Sequence, residues 1–334
     1  MIEIGKEKQF MQLGELPLES GQTLSSCQLC YQVVGQPNSA RDNIVLIPGY
    51  YGGTHWGSLP LIGAGSPLLG GDYCVVLTNL LGAGWSSSPS NTPAPQQGAG
   101  FPRIGLADNV EAQHRLLDRL FGEWRLALVC GWSMGGMQAF AWAMRYPQKV
   151  ARILPFCATA RCWPHNRVFL EGVRAALCVD AAWQYGHYRQ PPQRGLRAFA
   201  RVYAGWAYSQ AFYREALYRE LGFASIEELL LFWEQDHLQQ DANDLLCVLD
   251  TWQGSAPSER DLRGIRARAL IMPCSSDLYF TVADARHEAS LIAGAELRVL
   301  QSDWGHCAGG PGREPQAMRQ VFEAMAQLLA QPER

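Results

Sequence analysis

Short apolar runs alternate along the chain with turns and helix-like stretches. Six of the runs hold four or five mostly apolar residues without strict polar alternation, at 43–47, 73–77, 126–130, 150–154, 269–272 and 296–300. Runs of this kind are typical of strands that are covered on both faces, as in a parallel α/β sheet. The pattern therefore predicts an α/β fold with a mostly parallel central sheet.

Between these runs, apolar residues recur at helical spacing. The stretches at 106–121, 134–145, 282–292 and 315–329 show this pattern, and the last begins with proline, which helices tolerate best in their first turn. We expect helices there that flank the sheet. Residues 20–40 are predicted to form an antiparallel edge hairpin that leads into it.

Residues 160–255 differ from the rest of the chain. They contain no convincing strand, are rich in aromatic residues and arginine, and hold amphipathic stretches at 196–203 and 226–238. Such a segment between two strands of one sheet would also suit ordinary core packing, but its position favours a helical cap, because concave sites are walled by apolar and aromatic groups. We predict a core of residues 1–159 and 256–334 with a cap of residues 160–255.

Composition sets limits on the function. Hydrophobic residues make up 48% of the 334 residues and charged residues 18%, which suffices for a sizeable core and excludes a disordered chain. The net charge of −3 gives no sign of a nucleic-acid partner. No apolar run approaches the roughly 18 residues of a membrane span, and the first ten residues lack the apolar region of a secretory signal. We expect a cytoplasmic protein without a membrane partner.

The ten cysteines do not suggest a disulfide framework. Several stand in apolar runs, where a free thiol behaves as a small hydrophobic group, and a reducing cytoplasm would keep them reduced. Cys27 and Cys30 have the spacing of a zinc or redox pair but stand alone in a predicted strand. Phosphate-binding and metal-binding motifs are not found, so we expect neither a metal nor a cofactor.

The run Gly-Trp-Ser-Met-Gly at 131–135 carries the strongest chemical signal. It follows an apolar run and opens a helix-like stretch, which is the context of a nucleophile elbow. In such a turn the central residue takes strained dihedrals, and glycines at both ends avoid collisions across the turn. This motif predicts Ser133 as a nucleophile.

A serine nucleophile needs a base, and the base needs an orienting carboxylate. Elbow folds place these groups in the order Ser, Asp or Glu, His, at the ends of later strands. Asp277 is the first carboxylate after the run at 269–272, and His306 is the only histidine after residue 288. Asp303 also follows a strand, but we interpret it as a loop-ordering residue. The predicted triad is Ser133, Asp277 and His306.

An oxyanion hole requires two backbone N–H groups aimed at the developing charge. In elbow enzymes one donor is the residue after the nucleophile, here Met134, and the other comes from the loop after the first core strand. That loop reads Pro-Gly-Tyr-Tyr-Gly-Gly at 48–53. We predict Tyr50 as the second donor, with Tyr51 as its neighbour.

With these residues in place, the chain resembles the homoserine O-acetyltransferase group of α/β-hydrolases, including its esterase-like relatives. The resemblance covers most of the chain, and its motifs lie at 48–53, 79–84, 101–104, 131–138, 195–201 and 304–306. The run Ser-Met-Gly-Gly-Met-Gln after Trp132 is fairly specific, because most hydrolases diverge two residues after the serine.

The resemblance implies an α/β-hydrolase fold, a homodimer, and a cofactor-free enzyme that forms an acyl-serine under a helical lid. It implies the same triad and the same oxyanion donors that the spacing of the motifs predicts. It matches Arg201 to a lid arginine that contacts the acceptor carboxylate in transferases. Those transferases carry an aspartate after the catalytic histidine to hold the substrate ammonium, whereas this chain has Cys307. The predicted substrate-pocket residues are Tyr51, Trp132, Arg201 and Cys307.

Three functions remain open on this basis. The first is an esterase for short-chain, mainly acetyl, esters, and the second is an O-acyltransferase that uses acetyl-CoA and homoserine or another alcohol. Both use the same acyl-enzyme and differ in what attacks it. The third is an inactive hydrolase scaffold that only binds ligands, against which the complete triad argues.

Overall fold

A computed structural model of the protein describes residues 4–333. Residues 1–3, part of the stretch in which we expect no secretory signal, and residue 334 lie outside the described residues. The described chain forms one eight-stranded sheet. Its strands are β1 (Gln9–Pro17), β2 (Thr23–Val34), β3 (Ile44–Ile47), β4 (Cys74–Thr78), β5 (Leu126–Trp132), β6 (Arg152–Phe156), β7 (Arg268–Ile271) and β8 (Glu296–Leu297).

The sheet has the strand order β1-β2-β4-β3-β5-β6-β7-β8. The strands from β4 through β8 in this order pair in parallel, whereas β1 and β2 form an antiparallel edge. This arrangement confirms the predicted α/β fold with a mostly parallel sheet. In a parallel sheet the carboxyl ends of the strands share one edge, and that edge carries the residues discussed below.

Helices cover the sheet and connect its strands. They are α1 (Leu106–Phe121), α2 (Met134–Arg145), α3 (Pro164–Cys178), α4 (Gln193–Ala207), α5 (Gln210–Arg214), α6 (Ile226–His237), α7 (Ala242–Gln253), α8 (Glu259–Arg263), α9 (Val282–Leu291) and α10 (Pro315–Ala330). Within residues 4–333, no helix combines the length and the apolar character that crossing a membrane requires.

Two apolar cores lie on the two faces of the sheet. Consecutive residues of a strand point to opposite faces, so Val45 and Ile47 join one core while Ile44 and Leu46 join the other. Both faces of the strand are therefore buried, which explains why its sequence is apolar without alternation.

The structure corrects two of the expected strands. The edge hairpin spans Gln9–Pro17 and Thr23–Val34 rather than residues 20–40. Its first strand is mostly exposed, and its register shifts around Gly14, so it presents no apolar run. The run at 296–300 forms a strand only at Glu296–Leu297, because beyond it only Leu300 bridges to the sheet, at Cys274.

The chain between β6 and β7 is helical, and it contains α3 through α8. Its helices α3, α4 and α7 add apolar residues to the core on one face of the sheet. The division into a core and a cap of residues 160–255 remains a prediction.

The Cys27 and Cys30 thiols lie on β2 and are buried. Residues three apart in a strand point to opposite faces. Burial raises the pKa of Cys27 to about 12 and that of Cys30 to about 11, so both thiols are protonated near neutrality. This placement favours packing over metal binding for both.

Candidate active site

Ser133 lies in a tight turn between β5 and α2. Its backbone has φ 58° and ψ −128°, a conformation that residues other than glycine rarely adopt. Its N–H donates to the carbonyl of Phe156 at 3.1 Å, and its own carbonyl accepts from Met137 at 3.0 Å. These bonds hold the strained residue at the start of α2, where the helix dipole is positive.

Two glycines make this turn possible. A Cβ on Gly131 would lie 2.6 Å from the carbonyl carbon of Gly135, and a Cβ on Gly135 would lie 2.7 Å from the carbonyl oxygen of Pro48. Neither distance leaves room for a side chain. The strand, the helix and the loop after β3 thus approach closely around Ser133.

Asp277 and His306 form a buried hydrogen-bonded pair. The His306 Nδ1 lies 2.8 Å from Asp277 Oδ2, and the two residues are 3% and 6% exposed. The other carboxylate oxygen of Asp277 accepts the N–H groups of Tyr279 at 2.7 Å and Phe280 at 3.2 Å. Because Asp277 accepts from Nδ1, the imidazole carries its proton there and leaves Nε2 free to accept one.

Aromatic rings fix the orientation of His306. The ring of Trp132 stacks on the imidazole at a centroid distance of 4.9 Å, and its Nε1 donates to the His306 carbonyl at 3.1 Å. Tyr279 packs against the imidazole at 4.7 Å. Trp132, predicted as a pocket residue, therefore also holds the histidine in place.

A buried chain of amide hydrogen bonds positions the loop after β3. Trp142 Nε1 donates to Gln113 Oε1 at 2.7 Å, and Gln113 Nε2 donates to Gln138 Oε1 at 2.7 Å. Gln138 Nε2 then donates to the carbonyl of Gly49 at 2.8 Å. This chain fixes the peptide group that contains the N–H of Tyr50.

The two predicted oxyanion donors flank the elbow. Met134 is the first residue of α2, so its N–H lacks a partner within that helix. Tyr50 packs its ring against Trp132 at 4.8 Å. Its neighbour Tyr51 is buried and donates from its hydroxyl to the carbonyl of Leu245 at 3.1 Å.

One cavity of about 210 Å³ brings most of these residues together. It is lined by Tyr50, Tyr51, Gly52, Gly53, Trp132, Ser133, Tyr203, Ala207, Phe232, Trp233, Asp236, His237, Gln240, His306, Cys307 and Arg313. A larger groove of about 730 Å³ lies between residues 60–67 and 312–326 and contains none of the predicted catalytic residues.

Arg201 is the predicted pocket residue that the structure does not bring into this cavity. Its guanidinium donates to Glu234 and, at 2.6 Å, to Glu227, both on α6. These two carboxylates satisfy the arginine within the helical segment. The contact of Arg201 with a substrate carboxylate therefore stays a prediction that this arrangement does not support.

The residues near the site that were not predicted from the sequence to take part in it include Gln138, Arg313 and His237. Of these, His237 is 6% exposed and lines the cavity. Burial lowers the pKa of His237, whose Nδ1 lies 2.9 Å from the Trp233 carbonyl.

Metal-binding chemistry has no visible basis in the described residues. Within residues 4–333, no three or more His, Cys, Asp or Glu side chains are grouped so that they would hold a metal ion.

The chain matches known proteins over most of its length. A family model described as the alpha/beta hydrolase fold matches residues 42–172. The chain is 35% identical to an ethyl acetate hydrolase from Pseudomonas veronii over 335 residues, which covers 97% of this chain and 96% of that protein. It is 31% identical to a homoserine O-acetyltransferase from Trichormus variabilis over 312 residues, 87% of this chain and 86% of that one.

A solved structure agrees with these matches. The fold superposes on the acetyl esterase MekB with a TM-score of 0.93 and 34% identity, covering 98% of this chain and 97% of that chain. The protein is therefore an enzyme of the α/β-hydrolase fold. It belongs to the α/β-hydrolase family, in the group that contains both esterases and homoserine O-acetyltransferases.

Proposed function

We propose that the protein is a serine esterase that hydrolyses acetyl esters of small alcohols through an acyl-serine intermediate. The observation that carries this proposal is the buried 2.8 Å pair of His306 and Asp277, of which His306 lines the same small cavity as the strained Ser133. The names of the relatives, an ethyl acetate hydrolase and an acetyl esterase, support the same chemistry.

In the first half of the reaction, Ser133 Oγ attacks the ester carbonyl carbon while His306 Nε2 takes the hydroxyl proton. The carbonyl oxygen becomes an oxyanion that accepts from the N–H groups of Tyr50 and Met134. When the intermediate collapses, the bond to the alcohol oxygen breaks and His306 returns the proton to that oxygen. The alcohol leaves, and the acetyl group stays on Ser133.

In the second half, water takes the place of the alcohol. His306 removes a proton from the water, whose oxygen attacks the acetyl carbonyl, and the same two N–H groups hold the oxyanion. Collapse breaks the bond to Ser133 Oγ, which regains its proton from His306. Asp277 stays ionised throughout and stabilises the imidazolium that forms in each half.

The size of the cavity favours short acyl groups. Its volume of about 210 Å³ lies below the roughly 300–1,000 Å³ of ordinary small-molecule pockets. Tyr203, Phe232 and Trp233 supply one wall from the segment that we propose as the cap, residues 160–255. Longer acyl chains would meet these rings.

Transfer of acetyl from acetyl-CoA to homoserine is the second candidate, favoured by the relatives named homoserine O-acetyltransferase. The residue after His306 argues against it. The transferases that the chain resembles have an aspartate there, but Cys307 is 2% exposed, and burial raises the pKa of its thiol, so it is neutral. A neutral thiol does not compensate a desolvated ammonium, whose unpaired charge costs several kcal/mol.

We also propose that the enzyme is a cytoplasmic homodimer. All ten cysteines are free, which suits a reducing compartment. Leu231 and Phe232 on α6 are 43% and 56% exposed, and exposed apolar side chains in one place favour association. Light scattering on the purified protein measures the oligomeric state.

One experiment separates the candidate functions. The purified enzyme is assayed with ethyl acetate and ethyl octanoate, and separately with acetyl-CoA plus homoserine. We expect turnover of ethyl acetate, a kcat/KM at least about tenfold lower for the octanoyl ester, and little O-acetylhomoserine, because the short pocket excludes added methylenes and Cys307 replaces the ammonium anchor.

Three results would count against this proposal. O-acetylhomoserine formation faster than ester hydrolysis would identify a transferase. Equal kcat/KM for ethyl acetate and ethyl octanoate would show that the cavity does not limit the length of the acyl chain. No turnover in either assay, with saturable ligand binding, would leave the inactive scaffold.

A further inference from the structure

Arg313 enters the active-site cavity from a turn after His306. Residues 310–313 form the turn, closed by the Arg313 N–H donating to the Gly310 carbonyl at 3.0 Å. Pro311 occupies its second position and Gly312, with φ 75°, its third, which is the residue pattern of a type II turn. The turn thus holds the base of the arginine side chain rigidly beside the cavity.

The side chain then runs inward over Gly310. A Cβ on Gly310 would lie 2.6 Å from Arg313 Cδ and 3.0 Å from its Nε, with the Cys307 carbonyl oxygen at 3.1 Å. Gly310 has φ −60° and ψ 123°, which any residue adopts. The missing side chain at Gly310 therefore leaves a path for Arg313 and is not required by the backbone.

At the end of this path the guanidinium lacks an acidic partner. Arg313 as a whole is exposed to solvent, but its guanidinium points inward. Its Nη1 lies 3.5 Å from the buried Cys307 Sγ, and its Cζ lies 5.6 Å from the centroid of the Trp132 ring. Among residues 4–333, no carboxylate lies within 4.0 Å of its nitrogens. A permanent positive charge with unused donors thus lines the cavity.

Asp236 is the carboxylate that also lines this cavity. Its side chain is 57% exposed and lies 3.6 Å from the Nδ1 of His237. Water screens an exposed carboxylate, so Asp236 offsets the charge of Arg313 only weakly. Tyr50, Tyr51 and Tyr203 also line the cavity and are neutral because burial raises the pKa of each phenol, and burial lowers the pKa of His237 beside them.

We propose that Arg313 is the specificity-determining residue of a carboxylate-binding subsite, and that the preferred substrates are acetyl esters of short hydroxy acids. The planar guanidinium forms paired hydrogen bonds with a carboxylate, which a neutral alcohol does not replace. This inference rests on the proposed esterase function and names its substrate class.

The position of Arg313 assigns the carboxylate to the alcohol half of the ester. Arg313 contacts Cys307, the residue after His306. His306 is the group that returns a proton to the leaving alcohol, so the alcohol lies on the histidine side of Ser133. The subsite therefore recognises the group that leaves and does not bind the acetyl group.

Three acetyl esters of similar size test the charge preference. They are neutral propyl acetate, anionic 3-acetoxypropanoate and cationic 2-acetoxyethylammonium, and the measured quantity is kcat/KM for each. We expect the order anionic, neutral, cationic, with the anionic ester ahead of the neutral one by roughly ten- to hundredfold, the usual effect of a charged hydrogen-bond partner.

Variants assign this preference to Arg313. We expect Arg313→Gln to lose the advantage in kcat/KM of the anionic ester over propyl acetate, and Arg313→Lys to keep part of this advantage. Gly310→Ala displaces the side chain and is expected to reduce the advantage severalfold. Arg319 is an exposed arginine on α10 outside the cavity, so Arg319→Gln is the matched control. Asp236→Asn tests the effect of the negative charge that also lines the cavity. We expect both variants to preserve the order of kcat/KM among the three esters.

Several outcomes would overturn the inference. Equal kcat/KM for the anionic and neutral esters in the unaltered enzyme would show that the subsite does not exist. Loss of the preference in the Arg319→Gln control would show that the preference comes from the net charge of the protein and not from Arg313. A preference for monoethyl malonate over 3-acetoxypropanoate would place the carboxylate on the acyl half. Failure to hydrolyse propyl acetate would instead count against the proposed esterase function.

Discussion

Ser133 combines an unfavourable backbone with a favourable chemical position. Its φ of 58° belongs to a region that costs a non-glycine residue about 1–3 kcal/mol. The hydrogen bond to Phe156 and the close approach of Gly131 and Gly135 hold it there. The strain therefore serves to hold Ser133 at the start of α2, where it lines the same cavity as His306.

Asp277 should be needed for activity because it sets the tautomer of His306. We expect Asp277→Asn to lower kcat for ethyl acetate by about 10⁴-fold, since the asparagine amide would stabilise the wrong tautomer. The structure offers a matched control in Asp303, which is exposed and three residues before the histidine.

Asp303→Asn should retain kcat within about threefold, and thermal unfolding should show that both variants are folded. If Asp303→Asn lost activity while Asp277→Asn kept it, the carboxylate that orients His306 would be Asp303 and not Asp277.

At the scale of elements, α9 holds the start of the helical segment against the sheet. Glu288 on α9 is fully buried and accepts from the N–H groups of Ala160 at 2.6 Å and Arg161 at 3.2 Å, and from Trp163 Nε1 at 3.0 Å. Burial raises the pKa of this carboxyl to about 7, against the effect of these donors and of Arg161. The anchor is thus a carboxyl that gains its charge near neutral pH.

This anchor predicts a pH dependence of stability. Between the ordinary pKa of 4.5 and the folded value of about 7, the folded state binds more protons at Glu288 than the unfolded state. Its contribution is therefore largest below pH 4.5 and decreases as pH rises towards 7. Relative to a Glu288→Gln variant, which does not titrate there, the free energy of unfolding should fall by roughly 2–3 kcal/mol from pH 5 to pH 8.

Urea unfolding of both proteins at pH 5 and pH 8 measures this difference directly. Asp244, another buried carboxyl whose pKa is raised to about 7, is present in both proteins and cancels. A difference between the two proteins that stays constant with pH, or grows, would show that Glu288 does not titrate in this range.

At the scale of the whole molecule, the sequence predicted whatever depends on local pattern. The parallel strands followed from apolar runs, and the elbow followed from glycines that flank Ser133. Asp277 and His306 followed from the rule that such residues end strands, and the structure brings them together. Chain order sufficed because every parallel strand delivers its end to the same edge of the sheet.

What the sequence did not predict depends on contacts between distant segments. Glu227 and Glu234 bind Arg201 outside the cavity, although the family resemblance implied a contact with the substrate. Arg313 enters the cavity because Gly310 leaves space for its side chain, and no local sequence pattern predicts this placement. The candidate catalytic residues are therefore predictable from the sequence, whereas the positions of Arg201 and Arg313 relative to the cavity require the packed structure.

Trapping the acyl-enzyme tests the central claim most directly. The enzyme is mixed with p-nitrophenyl acetate, quenched in acid within the first turnovers, and digested for mass spectrometry, with Ser133→Ala as the control. We predict one acetyl group on the peptide that contains Ser133, formed with a burst of p-nitrophenol and absent from the variant. An acetyl group on Cys307 or elsewhere that persists in Ser133→Ala, with turnover retained, would contradict the account.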